Sequence, residues 1–211
     1  IPARYQLTHT ASTGRGVYTF CMCPGGYVIP SSCQKETVVV NGMSYSDRAG
    51  ENANSALLIQ CPASQFDSDV FAGERYLEDL EKKAYALSGS YKAPIQLARD
   101  FVEHKKTISL GKVKPTYALG VEYADFHELF DETMARSLEE ALLDFESKVP
   151  GFLDDAVLTG METRSSSTIR LLRDKETLMS SIEGLYPAGE GAGYAGGIMT
   201  SAIDGMKCAM A

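Results

Sequence analysis

The sequence lacks any apolar run near the roughly 18 residues a helix needs to span a bilayer, so no transmembrane helix is expected in its 211 residues. It lacks a basic surplus too: 20 Lys and Arg stand against 28 Asp and Glu, a net charge of −8. An acidic surface repels phosphate backbones. The densest basic run, His104-Lys105-Lys106, is too short to offset that, so nucleic acid is not an expected partner. The visible start, Ile1-Pro2-Ala3-Arg4, has neither Met nor a charged-then-apolar leader. It reads as a trimmed piece with no signal peptide. A disulfide framework is also missing. Cys21, Cys23, Cys33, Cys61 and Cys208 are an odd number at irregular spacing, expected to be reduced thiols in the cytoplasm. Histidine is scarce: His9, His104 and His127 show no ligand spacing. Two neighbouring thiols alone cannot complete a zinc site, so no metal is expected.

What remains is ordinary globular material, 44% apolar and 23% charged. Residues 1–65 read as β-rich, with strands at 17–23, 27–29, 37–40 and 55–61. The first two look like a hairpin around Pro24-Gly25-Gly26. Residues 66–150 read as a helical insertion. Its helices are expected at 69–88, stopped by Gly89, then from Pro94 to Val102, then from Asp125 to Val149. Asp125 and Glu128 form a capping box for the last, and its stripe through Phe126, Leu129, Phe130, Met134, Leu138, Leu142 and Phe145 is core packing. Residues 151–211 return to strands at 156–159, 168–172 and 184–188, then end in a helix at 197–209. The sum is an α+β fold: a mixed sheet, an inserted helical subdomain, and a C-terminal strand–glycine loop–helix.

The most informative segment is that loop. Five glycines fall in the nine residues 189–197, between a strand and a helix. Glycine lets another group approach the backbone, and free amides at a helix N-terminus favour an anion or an electron-rich oxygen. No Gly-Lys-Ser/Thr follows, so it is not a Walker loop. A first dinucleotide fingerprint is excluded because the chain ends before the acidic residue such a unit needs. A plain turn at a sheet edge matches the same spacing.

The segment resembles the second FAD-binding motif near the C-terminus of two-dinucleotide-fold flavoproteins. More closely, the chain is similar to the C-terminal part of a group of bacterial FAD-dependent dehydrogenases. The stretches that carry the likeness are Phe20-Cys21-Met22-Cys23-Pro24-Gly25-Gly26, Asn41-Gly42-Met43-Ser44, 48–56 from Arg48 to Ala56, 91–96 from Tyr91 to Gln96, 162–167 from Glu162 to Ser167, and 184–197. The family's N-terminal Rossmann unit is absent from these residues. The resemblance implies FAD as cofactor in the intact protein, held partly by that missing N-terminal domain. It implies cofactor contacts from Gly189, Glu190, Gly191, Gly193, Gly196, Gly197 and Ile198. Glu190 would meet the ribityl or pyrophosphate region, and the amides of Gly196, Gly197 and Ile198 would lie near flavin N1 and O2.

Around an unnamed small-molecule substrate, Arg164 and the serines Ser165 to Ser167 are candidates to bind a carboxylate or face the flavin, a Ser-rich turn in water being the plain alternative. Arg48, Asn52 and Asn54 are candidates in a polar loop, and Tyr91 and Gln96 could line a pocket. Cys21 and Cys23 are candidates for a redox dithiol. In an extended strand they share a face about 6.5–7 Å apart, so a bridge needs a kink. The plainer reading is two small buried residues. Two rival functions follow: an interaction module that binds no cofactor by itself, and a thiol oxidoreductase built on Cys21 and Cys23. Exposed helical faces in an isolated piece would favour self-association into a homo-oligomer.

Overall fold

Among the described residues, eight strands in three separate sheets and four helices form an α+β fold; one of the three sheets is mixed, and the strands expected to share one sheet do not. The computed structural model describes residues 6–66 and 69–211; the opening residues read above, 1–4, lie outside them. The chain divides into two compact units, one of residues 1–62 and 79–162, the other of 63–78 and 163–211. No helix among the described residues is long and apolar enough to cross a membrane.

In the first unit, strand β2 (Gly16–Cys23) lies between β1 (Thr8–Thr10) and β5 (Asn54–Ile59), both antiparallel to it. Val17 faces His9 on one side and Ile59 on the other. The expected hairpin of 17–23 with 27–29 does not form. Strand β3 (Gly26–Pro30) pairs instead with β4 (Val40–Ser44), Val28 opposite Gly42. The reason lies at the turn. A methyl group on Gly25 (φ +58°) would sit 2.1 Å from the Arg48 carbonyl oxygen, and one on Gly50 would sit 2.5 Å from the Gly25 oxygen. The segment after β2 therefore packs against the 48–50 turn. The apolar run Thr37–Val40, expected as a strand ending at Asn41-Gly42, is buried but mostly irregular, and the strand runs on through Asn41 and Gly42.

The segment from 66 to 150 contributes strands as well as helices. Helix α1 (Ala72–Ser88) ends at Gly89 (φ +65°), as its sequence predicts. Pro94 does not open a helix. It lies in β6 (Ala93–Leu97), which pairs parallel with β7 (Val121–Tyr123) and antiparallel with β8 (Val157–Thr159). The antiparallel ladder begins only at Ile95, so the missing proline N–H leaves no gap in it. The run 93–97 is buried on both faces, and such a run carries no period that tells helix from strand. Helix α2 (Ala98–Val102) follows directly.

Asp125 caps only a 3-10 turn, Phe126–Glu128, by accepting from the His127 amide at 3.0 Å. A second cap, Asp131, accepts from the Met134 amide at 2.8 Å and starts α3 (Glu132–Lys148). Two N-caps in seven residues split the single helix that the periodicity predicts. The apolar face of α3 is core, as its spacing predicts: Met134, Leu138, Ala141, Leu142 and Phe145 are buried.

In the second unit, the strands expected at 168–172 and 184–188 are absent. Each segment makes isolated backbone contacts, Leu171 N–H to Ala192 O at 3.2 Å and Ser180 N–H to Leu185 O at 2.8 Å, rather than a ladder. β-Branched and apolar residues favour a strand only when a neighbouring edge receives them. Helix α4 (Ile198–Met210) forms as expected.

Candidate functional site

The glycine loop of the second unit is held at one end and open at the other. Gly189 (φ +73°) and Gly193 (φ +81°) adopt left-handed conformations. At Gly193 the chain is also crowded: a methyl group would lie 2.6 Å from the Ile169 oxygen. The Gly193 amide donates to Glu190 O at 2.8 Å and the Tyr194 amide to Gly189 O at 3.0 Å, which folds the first half of the loop on itself. The Gly189 amide donates to Asp204 Oδ2 at 2.9 Å. Farther on, Gly197 is the N-cap of α4, extended and without a side-chain cap. Among the described residues no acceptor meets the amides of Gly196, Gly197 and Ile198. The first N–H groups of a helix have no intrahelical partner, and those of Gly197 and Ile198 have the helix dipole behind them.

Asp204 on α4 fixes the closed end. Its carboxylate accepts from Arg173, whose guanidinium also donates to Pro187 O at 2.7 Å and lies 3.7 Å from the Tyr194 ring centroid. The Arg173 and Gly189 donors hold the Asp204 pKa at about 2. Neither Arg173 nor Asp204 stands out in the sequence, because 31 residues separate them.

Beside the loop is an open cleft of about 270 Å³ lined by Glu74, Arg164, Ser166, Ser167, Glu190 and Gly191 among others. Glu190 and Arg164, expected as cofactor and substrate residues, therefore share one cavity. Ser165 does not line it; Ser166 and Ser167 do. Arg164 Nη1 hydrogen-bonds Glu74 Oε1, and Thr168 Oγ1 donates to Glu74 Oε2 at 3.2 Å. Glu74 was invisible to sequence reasoning, since it sits in the first turn of α1, 90 residues from its partner.

The other candidates belong to the first unit. A bulge interrupts the β2–β5 register between Phe20 and Cys23, and Cys21 takes φ +54° there. This is the kink that an approach of the two thiols needs, yet both are free, and Cys23 Sγ–H points to Cys21 O at 3.6 Å. Cys21 is exposed and Cys23 half-buried, so they are not a buried pair. Partial burial, with Cys23 and Glu162 nearby, pushes the Cys21 thiol pKa up, away from an activated thiolate. Arg48 is exposed, and Asn52 uses its Nδ2 on Lys114 O at 2.8 Å. Asn54 Nδ2 is buried against Gly26 with no acceptor among the described residues, and Asn54 Oδ1 lies against Gly42. Gln96 is not among the residues lining that cleft. It is fully buried, donating to Lys105 O at 2.9 Å and accepting from the Phe126 amide at 2.8 Å. Tyr91 is exposed at its ring and accepts from the Glu36 amide at 3.1 Å.

The histidines are not all scattered. His104 and His127 stack at 4.4 Å, and both reach Glu139 Oε1, at 3.3 and 2.7 Å. Burial disfavours charge on His127, but hydrogen bonds to Glu139 and Asp125 outweigh it and raise its pKa.

Comparison with known proteins gives a consistent assignment. A protein of Clostridium beijerinckii described as uncharacterized is 41% identical over 211 residues, which cover 98% of this chain. The chain spans about 40% of that relative's length. The family model for FAD-dependent protein, C-terminal domain-like, matches residues 1–165, so its match ends before the glycine loop, which the relative does cover. The chain thus belongs to the family of C-terminal domains of FAD-dependent proteins.

Proposed function

We propose that the chain completes the FAD site of a longer flavin-dependent oxidoreductase and supplies its substrate cavity, the reaction being hydride or electron transfer. The observation that carries this reading is glycine where the chain's own fold does not require it. A methyl group on Gly191 or Gly196 would meet nothing within 4 Å, and neither residue has a positive φ. Glycine at such places serves the close approach of a group from outside the chain. The adjoining amides of Gly196, Gly197 and Ile198 are the donors that group would meet.

The residues fit one end of FAD. Those three amides suit the N1 and O2 edge of the pyrimidine, and Glu190 suits a ribityl hydroxyl. When bound, FAD supplies the electron chemistry, and this chain's part is to hold and tune it. Fixed N–H donors at a helix N-terminus stabilise negative charge and so favour the reduced cofactor. The cleft of about 270 Å³ is below the roughly 300–1,000 Å³ usual for ligand sites, so the remainder of the site is assigned to the N-terminal FAD-binding domain. Ile198, Met199, Met206 and Met210 of α4 are exposed, an apolar surface suited to that domain. An anionic substrate group would be received by Arg164 in exchange for Glu74.

The test is reconstitution. The chain is expressed alone and together with the N-terminal domain of the intact protein, and each sample is scanned for visible flavin absorbance after gel filtration. Flavin is expected in the complex only. Two colourless samples, with the complex formed, would remove the oxidoreductase reading and leave an interaction module.

A further inference from the structure

We infer that His104, His127 and Glu139 form a binding site for a divalent transition metal of the zinc class, separate from the glycine loop. The three side chains come from different elements. His104 follows α2, at φ +54°, with its amide donating to Phe101 O. His127 lies in the 3-10 turn, and Glu139 on α3. Their donor atoms all lie within 4.8 Å of one another. Two imidazole nitrogens and a carboxylate oxygen are the ligand types zinc takes at open sites, with a solvent position for the fourth ligand. His104 is largely exposed and gives that position access to water, while His127 and Glu139 are mostly buried.

The distances suit a shared ion. Bonds of about 2.0–2.1 Å in a tetrahedron put neighbouring donors about 3.4 Å apart. His104 Nε2 is 3.3 Å from Glu139 Oε1 already. His127 Nε2, now hydrogen-bonded to the same oxygen at 2.7 Å, would move back by about 0.7 Å to reach that spacing.

The outer layer is also in place. Asp125 Oδ1 lies 2.9 Å from His127 Nδ1 and accepts from the His127 amide at 3.0 Å. A carboxylate on the far nitrogen keeps Nδ1 as the donor, so an ion that displaces the proton Nε2 now shares with Glu139 meets the Nε2 lone pair, and this arrangement recurs behind metal-bound histidines. On its other side His127 stacks on Phe101, at 4.5 Å and 23°, and Phe101 is fully buried. Phe101, His127 and His104 form one stack, so His127 is held in place, and the largely exposed His104 would tilt out of the stack to bring a shared ion into its own ring plane.

The test is zinc titration of the untagged chain by calorimetry, with cobalt absorption in the visible as a second readout of coordination. One ion per chain is expected. Glu139→Gln and His104→Gln should each weaken binding at least tenfold, and both leave the buried stack of Phe101 and His127 intact. Asp125→Asn should weaken it by about 10–100-fold, the range for an outer-layer partner. His9→Gln, whose side chain meets Glu140 and Asp144 instead, should bind as the parent does. Absence of zinc binding by the folded parent chain, or binding that survives Glu139→Gln and His104→Gln together, would overturn the site.

Discussion

Asp204 and Arg173 are joined by two hydrogen bonds, Oδ1 to Nη2 at 2.7 Å and Oδ2 to Nη1 at 3.0 Å, and the same Oδ2 also takes the Gly189 amide. One carboxylate thereby ties the start of the glycine loop to the interior of α4. Both side chains are mostly shielded from water, Arg173 9% and Asp204 13% exposed, so neither group is easily rehydrated when its partner is removed.

The first prediction concerns pH. The folded pKa of Asp204, about 2, lies below the roughly 3.9 of an unfolded aspartate. The unfolded state therefore holds the proton more tightly, and the contribution is complete above about pH 4 and lost as pH falls through about 2. Asp204→Asn is expected to cost on the order of 1–3 kcal/mol at neutral pH and to flatten that acid loss. Urea melts of both proteins at several pH values measure it. Glu140→Gln is the comparison, because Ser12 holds Glu140 at about 2 in the first unit; it should leave the Asp204 contribution in place.

Gly25→Ala is expected to destabilise the first unit by about 2–4 kcal/mol, through a left-handed φ and a clash with backbone. The Arg48 carbonyl that the new methyl would strike cannot rotate away as a side chain would. Chemical denaturation of the variant reads the cost directly, and a loss below half a kilocalorie would show that the 48–50 turn yields.

Gly196→Ala should do the reverse. The chain has room for the methyl group, so its melting temperature should hold or rise slightly as the unfolded chain loses freedom. In the intact protein the same methyl should reduce retained FAD at least tenfold, measured as flavin per polypeptide after dialysis. Full retention would mean that nothing approaches this glycine.

Cys21 is expected to react with iodoacetamide more slowly at neutral pH than a small free thiol, with the rate still rising above pH 9, because its raised pKa leaves little thiolate. Mass spectrometry of the alkylated peptide follows it. If the intact protein is the oxidoreductase proposed above, replacing Cys21 and Cys23 with serine should leave its electron transfer unchanged; a lost activity would revive the dithiol reading.

Much of this was legible in the sequence wherever local chemistry decides. Gly89 stops α1, the apolar period of α3 marks its buried face, and the glycines of 189–197 announce a loop before a helix. The failures share a cause. Pro94 and Ile95 belong to a strand because β7 and β8 flank them, and nothing within 93–97 says so. The segments 168–172 and 184–188 have strand composition without a receiving edge. The pairs Arg164–Glu74, Arg173–Asp204 and His127–Glu139 are separated by 90, 31 and 12 residues, and only folding brings each together.

Strand β6 has a consequence for how the polypeptide can be shortened and how it folds. Its two neighbours arrive late and from far along the chain: Ile95 faces Tyr123 on one flank and Thr159 on the other. Closure of such remote contacts is slow, since chain entropy is lost before the sheet repays it. A nascent chain released before Thr159 would carry an open β-edge with buried Ile95 uncovered on that flank, so truncations ending between 124 and 158 should aggregate where those ending beyond Thr159 do not.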